Sequence, residues 1–248
     1  MQIIAFHTLK GGTGKTSAAV NVAYLASQAG IPTVLWDLDP QGAATWLLSQ
    51  DQAENGRKLG PLVKGKKPIG AFIHATPYAR LELIPAHRSA RNLDIKLSQL
   101  SSSDALKRWL KSLSEETALV ILDCPPSLSE LAEQVLNAAN AIFVPVVPAQ
   151  LSLNSWHQMR DFAKENNIKA KRLRPFLSMV DRRKTFHKAM ADGELKPLPK
   201  QLQTVIPNGG VIERMAESRL PVELMDRRSR AATAYRALWA EIHAMLKL

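Results

Sequence analysis

Residues 10–17 read Lys-Gly-Gly-Thr-Gly-Lys-Thr-Ser, a run whose chemistry is phosphate binding. Gly11, Gly12 and Gly14 lack side chains, so consecutive backbone N–H groups can turn toward phosphate oxygens, and Lys15 adds a point charge on the outer phosphates. Thr16 supplies a hydroxyl of the kind that ligates Mg2+ in such loops. The usual spacing, glycine, four residues, then Gly-Lys-Ser/Thr, would begin at residue 9, where Leu9 stands instead. The unusual charge is Lys10, a second lysine five positions ahead of Lys15.

Two carboxylate groups stand where such a loop needs them. Asp123 follows the apolar run 119–122, so a buried strand delivers one acid to the Mg2+ region, where it can accept from a metal-bound water or from Thr16. Asp37 and Asp39 follow the run 33–36. Because side chains alternate along a strand, these two point to different places. One can orient the loop and metal waters, and the other the attacking water. Phosphoryl transfer rests on positioning and charge stabilisation, so an acid that holds an in-line water suffices.

The elements around these residues follow from apolar periodicity. Residues 3–6 suit a buried parallel strand, and Ala18, Ala19, Val22, Ala23, Leu25 and Ala26 suit a helix packed closely on a sheet. Strand, glycine loop and helix occur in that order, and the helix N-terminus adds its N–H groups and dipole to the phosphate site. Further apolar runs recur at 33–36, 81–84, 119–122, 141–147, 175–180 and 202–206. Helices are predicted over 104–113, with Ser103 as a cap, over 129–138 and over 151–165. The alternation predicts an α/β chain: one P-loop NTPase domain over residues 1–248, with a mainly parallel twisted sheet and helices on both faces. The segment 231–248 places Tyr235, Leu238, Trp239, Ile242, Met245 and Leu246 on one helical face. Its polar face carries only Arg236, Glu241, His243 and Lys247, too few cations for an interfacial anchor, so the apolar face is expected in the core and membrane is not an expected partner. The basic, glycine- and proline-containing stretch 55–70 is predicted to be a solvated connection.

Composition narrows the classes. No apolar stretch approaches the roughly 20 residues that cross a bilayer, and the first strand begins without a signal-like segment, so a cytoplasmic location is expected. The single cysteine, Cys124, excludes an internal disulfide and a zinc site built from several thiolates. Net charge is +11 and uneven: residues 1–150 hold 14 Lys/Arg against 12 Asp/Glu, and residues 151–248 hold 19 against 10. The C-terminal excess fits either a polyanion such as DNA or a solvated surface tuned for solubility.

Taken together, residues 10–17, Asp37-Leu38-Asp39-Pro40-Gln41 and the run 123–126 resemble the deviant Walker ATPases of the ParA/MinD superfamily. The ParA branch fits best, supported by 176–187 and 204–222, so the likeness covers nearly the whole chain. Thr8 and Ala43 stand where asparagine is frequent. The resemblance implies ATP and Mg2+ as cofactors. It implies nucleotide contacts from Lys10, Gly11, Gly12, Thr13, Gly14, Lys15, Thr16 and Ser17, with Pro207 and Asn208 near the adenine. Catalytic roles fall on Lys10, Lys15 and Asp39, and the metal region on Thr16, Asp37 and Asp123. Lys10 would be the signature lysine, reaching the partner's phosphates across an ATP-bound homodimer; Asp39 would hold the hydrolytic water.

The resemblance also implies sequence-independent DNA binding, with Arg182, Arg183, Lys184, Arg214, Arg219, Arg227, Arg228 and Arg230 as candidates. Operator-specific repression is not expected, because the N-terminal DNA-reading extension of longer plasmid versions is missing from this sequence. A cargo adaptor that stimulates hydrolysis and a nucleoid-associated location follow from the same likeness. The alternative within the superfamily is a MinD-like ATPase that cycles on a membrane. Electron-transfer and metal-handling relatives need paired cysteines that one Cys124 does not supply.

Overall fold

A computed structural model describes residues 1–49, 56–87, 93–100 and 104–248. The strands are β1 Gln2–Phe6, β2 Thr33–Asp37, β3 His74–Ala75, β4 Leu81–Ile84, β5 Leu119–Asp123, β6 Ala141–Val146, β7 Leu173–Val180 and β8 Val205–Pro207. They form one sheet in the order β3-β4-β2-β5-β1-β6-β7-β8. Every pairing is parallel except β3 with β4. Parallel neighbours require crossovers, and helices fill them on both faces.

The continuous apolar strands are buried on both sides, and their alternation divides the core in two. Ile3, Ala5, Val120 and Leu122 face one layer, with Leu131, Val135, Trp156 and Met159 from the helices Glu130–Ala138 and Gln150–Glu165. Ile4, Phe6, Leu119 and Ile121 face the other, against Ala19, Val22, Ala23 and Ala26 of helix Lys15–Gln28 and Tyr235, Leu238 and Ile242 of helix Arg230–Leu246. The alanines on helix Lys15–Gln28 let it approach the sheet closely, which fixes the height of the loop in front of it. Of the face expected in the core, Tyr235, Leu238, Trp239, Ile242 and Leu246 are buried and Met245 is partly so. No helix among the described residues is long and apolar enough to cross a membrane.

The structure departs from the expected elements at four places. The last strand is Val205–Pro207 rather than 202–206, because the backbone N–H groups of Gln203 and Thr204 donate to the Glu241 carboxylate at 2.9 and 2.7 Å instead of joining a ladder. The antiparallel strand His74–Ala75 has no apolar run to announce it. The stretch 55–70 exposes Lys64, Lys66 and Lys67 as expected, yet it buries Leu59, Leu62 and Ile69 in the first core layer. The helix predicted over 104–113 is Ala105–Lys111. The proposed cap Ser103 and the first residue of that basic stretch, Asn55, lie outside the described residues.

Candidate nucleotide site

The sheet register assembles the site. Asp123 is paired with Phe6 on one side and with Asp37 on the other, so two acids and the start of the glycine loop share the carboxyl edge of three adjacent strands. Ligand sites of open parallel sheets gather at this edge. Residues 10–17 line a cleft of about 230 Å³ with Asp39 and Pro126. Gly14 sits at φ 83°, and a Cβ there would stand 2.9 Å from the Ser178 hydroxyl. That hydroxyl donates to the Thr13 carbonyl at 2.7 Å, tying the loop to β7.

Lys15 is buried, and its Nζ donates to Asp123 Oδ1 at 2.8 Å, with Asp39 Oδ2 at 4.0 Å. Burial opposes the charge on Lys15, but the acids outweigh it and hold the ammonium above its usual range. Burial pushes Asp123 up in spite of Lys15, and a hydrogen bond from Thr16 works the other way. Asp37 is pushed up to about 7, first by burial and then by the Asp123 charge, against hydrogen bonds from Thr45. Asp123 Oδ2 is buried with no partner. An orphaned carboxylate oxygen on Asp123, where Asp37, Asp39 and Asp123 all act on the single ammonium of Lys15, is the electrostatic condition that a divalent ion relieves. No cluster of three or more His, Cys, Asp or Glu occurs among the described residues, so a cation here would complete its shell with phosphate and water oxygens.

Asp37 does not line the cleft. Its Oδ2 accepts from the Thr45 backbone N–H and hydroxyl, both at 2.8 Å, and its Oδ1 accepts from the Asp39 N–H at 3.1 Å. Asp37 thereby pins the Asp39 turn to helix Ala43–Leu48 from behind. Pro207 and Asn208 line a second, adjoining cleft of about 490 Å³ that also touches Gly12, Gly14, Thr16 and Ser17.

The basic candidates separate into groups. Arg182, Arg183 and Arg230 line a third cleft, about 640 Å³, which shares Pro207, Asn208 and Gly209 with the second. Lys184, Arg214 and Arg228 are exposed. Arg227 is exposed and paired with Glu223 at 3.1 Å. Arg219 differs from the others: its Nε and Nη2 donate to the Trp46 and Ser49 carbonyls, and its guanidinium packs on the Trp46 ring at 4.7 Å, so part of its donor set is used within the fold.

Comparison with known proteins fits this geometry. The AAA domain family AAA_31 matches residues 1–177. The sporulation initiation inhibitor protein Soj of Bacillus subtilis (strain 168) is 30% identical over 249 residues, covering 98% of each chain. The chain belongs to the ParA/MinD superfamily of ATPases. Chromosome partitioning protein ParA of Myxococcus xanthus (strain DK1622) is 28% identical over 247 residues, 97% of this chain and 87% of that one. A putative plasmid partition protein of Borrelia burgdorferi B31, bound to AMPPNP, shares the fold with a TM-score of 0.81 at 21% identity, covering 100% of this chain and 99% of that one.

Four residues of this ParA/MinD-type site escaped sequence reasoning: Ser178, Thr45, Trp46 and His7. Ser178 is the one polar residue in the apolar run 175–180 of strand β7, and that isolation is the signal that could have marked it. His7 is buried, and its Nε2 lies 3.1 Å from the carbonyl of Ser127, in the loop that also carries Pro126. Burial, then the Lys15 charge, pushes His7 down to about 4, while the Ser127 bond raises it. An unfolded chain takes up this proton near 6.5, so His7 removes stability as pH falls from about 6.5 to about 4 and adds no slope above. His7→Gln keeps a donor and should flatten the melting temperature across that window; an acid limb of unchanged steepness would exclude His7 as its source.

Proposed function

We propose that this chain, acting over residues 1–248 as one unit, is a ParA-like ATPase that dimerises with ATP, binds DNA without sequence preference and positions or segregates a cargo. The observation that carries the reading is the single cleft in which both lysines of the loop meet Asp39, beside the unpartnered oxygen of Asp123. Thr16 and Asp123 would hold Mg2+, and residues 10–17 the phosphates. Bound together, ATP supplies the phosphoryl group and Mg2+ neutralises its charge. Lys15 sets the phosphates against the backbone N–H groups. Asp39, at the lip of the cleft, orients the water. Asp37 and Thr45 hold Asp39 in place.

Arg182, Arg183 and Arg230 form the core of the DNA-binding face, with Lys184, Arg214 and Arg228 around it. The nucleoid is then the location, and a cargo adaptor that stimulates hydrolysis is the partner that releases the dimer. A MinD-like membrane cycle is disfavoured by the C-terminal helix, whose apolar face is occupied by the core.

The test is DNA affinity with ATP, ADP and no nucleotide across a salt series. Expected is binding with ATP only, weakening with a log–log slope of about −0.9 for each phosphate neutralised. Salt-insensitive binding, or ATP-dependent binding to anionic liposomes in place of DNA, would overturn the proposal.

A further inference from the structure

Helix Ala43–Leu48 begins four residues after Asp39 and carries Trp46, the one tryptophan among the described residues with a large exposed fraction, 44%. A half-exposed indole is costly in contact with water, yet this one is held at several points. Its Nε1–H donates to the Ala216 carbonyl at 2.8 Å, and the Arg219 guanidinium covers its ring at 4.7 Å while donating to the carbonyls of Trp46 and Ser49. Arg219 achieves this from a left-handed backbone, φ 54°, a conformation unfavourable for a residue with a Cβ. Trp46 lines the 490 Å³ cleft next to the phosphate loop, together with Met179, Pro207, Ile212, Met215 and Ala216; Arg219 is not among the lining residues. The clasp therefore leaves the indole on the wall of an apolar cleft that opens beside the phosphate site and has room for a heterocycle.

We propose that Trp46 is a nucleobase-contacting residue, a preset aromatic wall for a purine, and that Arg219 is its positioning residue. The proposal rests on the ATP reading of the phosphate cleft and assigns the base end of that site. An aromatic wall with its rotamer fixed before binding loses little freedom when a base packs on it, and a bicyclic base covers more of the indole than a pyrimidine does. The cationic partner further restrains the ring. Through Thr45 and Asp37, the helix that carries this wall is also joined to Asp39, so base occupancy and the Asp39 turn share one rigid element.

The experiment measures binding of ADP, UDP and inorganic pyrophosphate to the full chain by calorimetry, with melting temperatures recorded for each variant. Trp46→Ala should weaken ADP about tenfold, change UDP less, and leave pyrophosphate, which has no base, within about twofold. Trp46→Phe should recover most of the loss. Arg219→Ala should weaken ADP about threefold, again without moving pyrophosphate. Unchanged ADP affinity in Trp46→Ala overturns the proposal, as does a parallel loss of ADP and pyrophosphate, which would make the clasp purely structural. Trp46→Phe decides the matter if the alanine variant does not fold: wild type should show an ADP-dependent quench of tryptophan fluorescence that Trp46→Phe loses, and no quench in wild type, or one retained in Trp46→Phe, counts against Trp46. Wild type that binds neither ADP nor pyrophosphate refutes the ATP reading itself, a result separate from any variant.

Discussion

Replacing Asp39 by alanine should lower ATP turnover by about 10³-fold while ADP affinity stays the same or rises slightly. The asymmetry follows from where the carboxylate stands. Its side chain is 16% exposed at the lip of the cleft, with Oδ1 accepting from the Gln41 N–H at 3.0 Å and Oδ2 4.0 Å from Lys15 Nζ. It is therefore the site acid with water access, whereas Asp123 is closed off by Lys15 and burial, and Asp37 by Thr45. Removing it takes away the group that orients water but leaves the phosphate cradle, which is built from backbone N–H groups. One negative charge fewer near Lys15 makes the cleft more welcoming to phosphate, hence the sign expected for ADP. Single-turnover rates at saturating ATP check this directly. Equal rates in wild type and Asp39→Ala would remove Asp39 from the catalytic set and shift attention to the loop that carries Pro126.

How far the sequence anticipates this site depends on whether a feature is local. The strand Gln2–Phe6, the glycine loop and helix Lys15–Gln28 lie within one short stretch, and apolar runs with glycines between them announce all three. Asp37, Asp39 and Asp123 were visible because each ends an apolar run. Their division of labour was not: only the register that sets Asp37 against Asp123, and the bonds from Thr45, show that one acid faces inward. The Trp46 and Arg219 clasp joins positions 173 apart in the chain, and nothing in the local pattern around either residue pairs them. Arg219 therefore counted as one more basic residue in a basic segment. The same limit explains Gln203 and Thr204, where apolar periodicity continued the strand but the Glu241 carboxylate, from another element, had already taken their N–H groups. Charge counting gave the C-terminal excess; whether a guanidinium is spent inside the fold or left for a partner is a tertiary fact.

That distinction gives Lys10 its expected phenotype. Lys15 is committed to Asp123 within its own chain, whereas the Lys10 side chain, half-buried on the same cleft, makes no hydrogen bond or ion pair among the described residues. A cation with no acid of its own, next to a cleft that fits polyphosphate, is best satisfied by an anion brought to it, and in a face-to-face dimer that anion would be the partner's ATP. Lys10→Ala should then weaken ATP-dependent dimerisation about 100-fold, in the range seen when one member of a desolvated charge pair at an interface is removed. ADP affinity of the monomer should change by no more than about threefold, because the backbone cradle and Lys15 remain. Sedimentation in an Asp39→Ala background keeps ATP intact during the measurement and isolates assembly from turnover. A dimer of unchanged affinity would assign Lys10 to its own chain's phosphates, and the loss would then appear in ADP binding instead. The two lysines of one loop are thus separable by experiment, since the acids of the fold neutralise one and leave the other to an incoming charge.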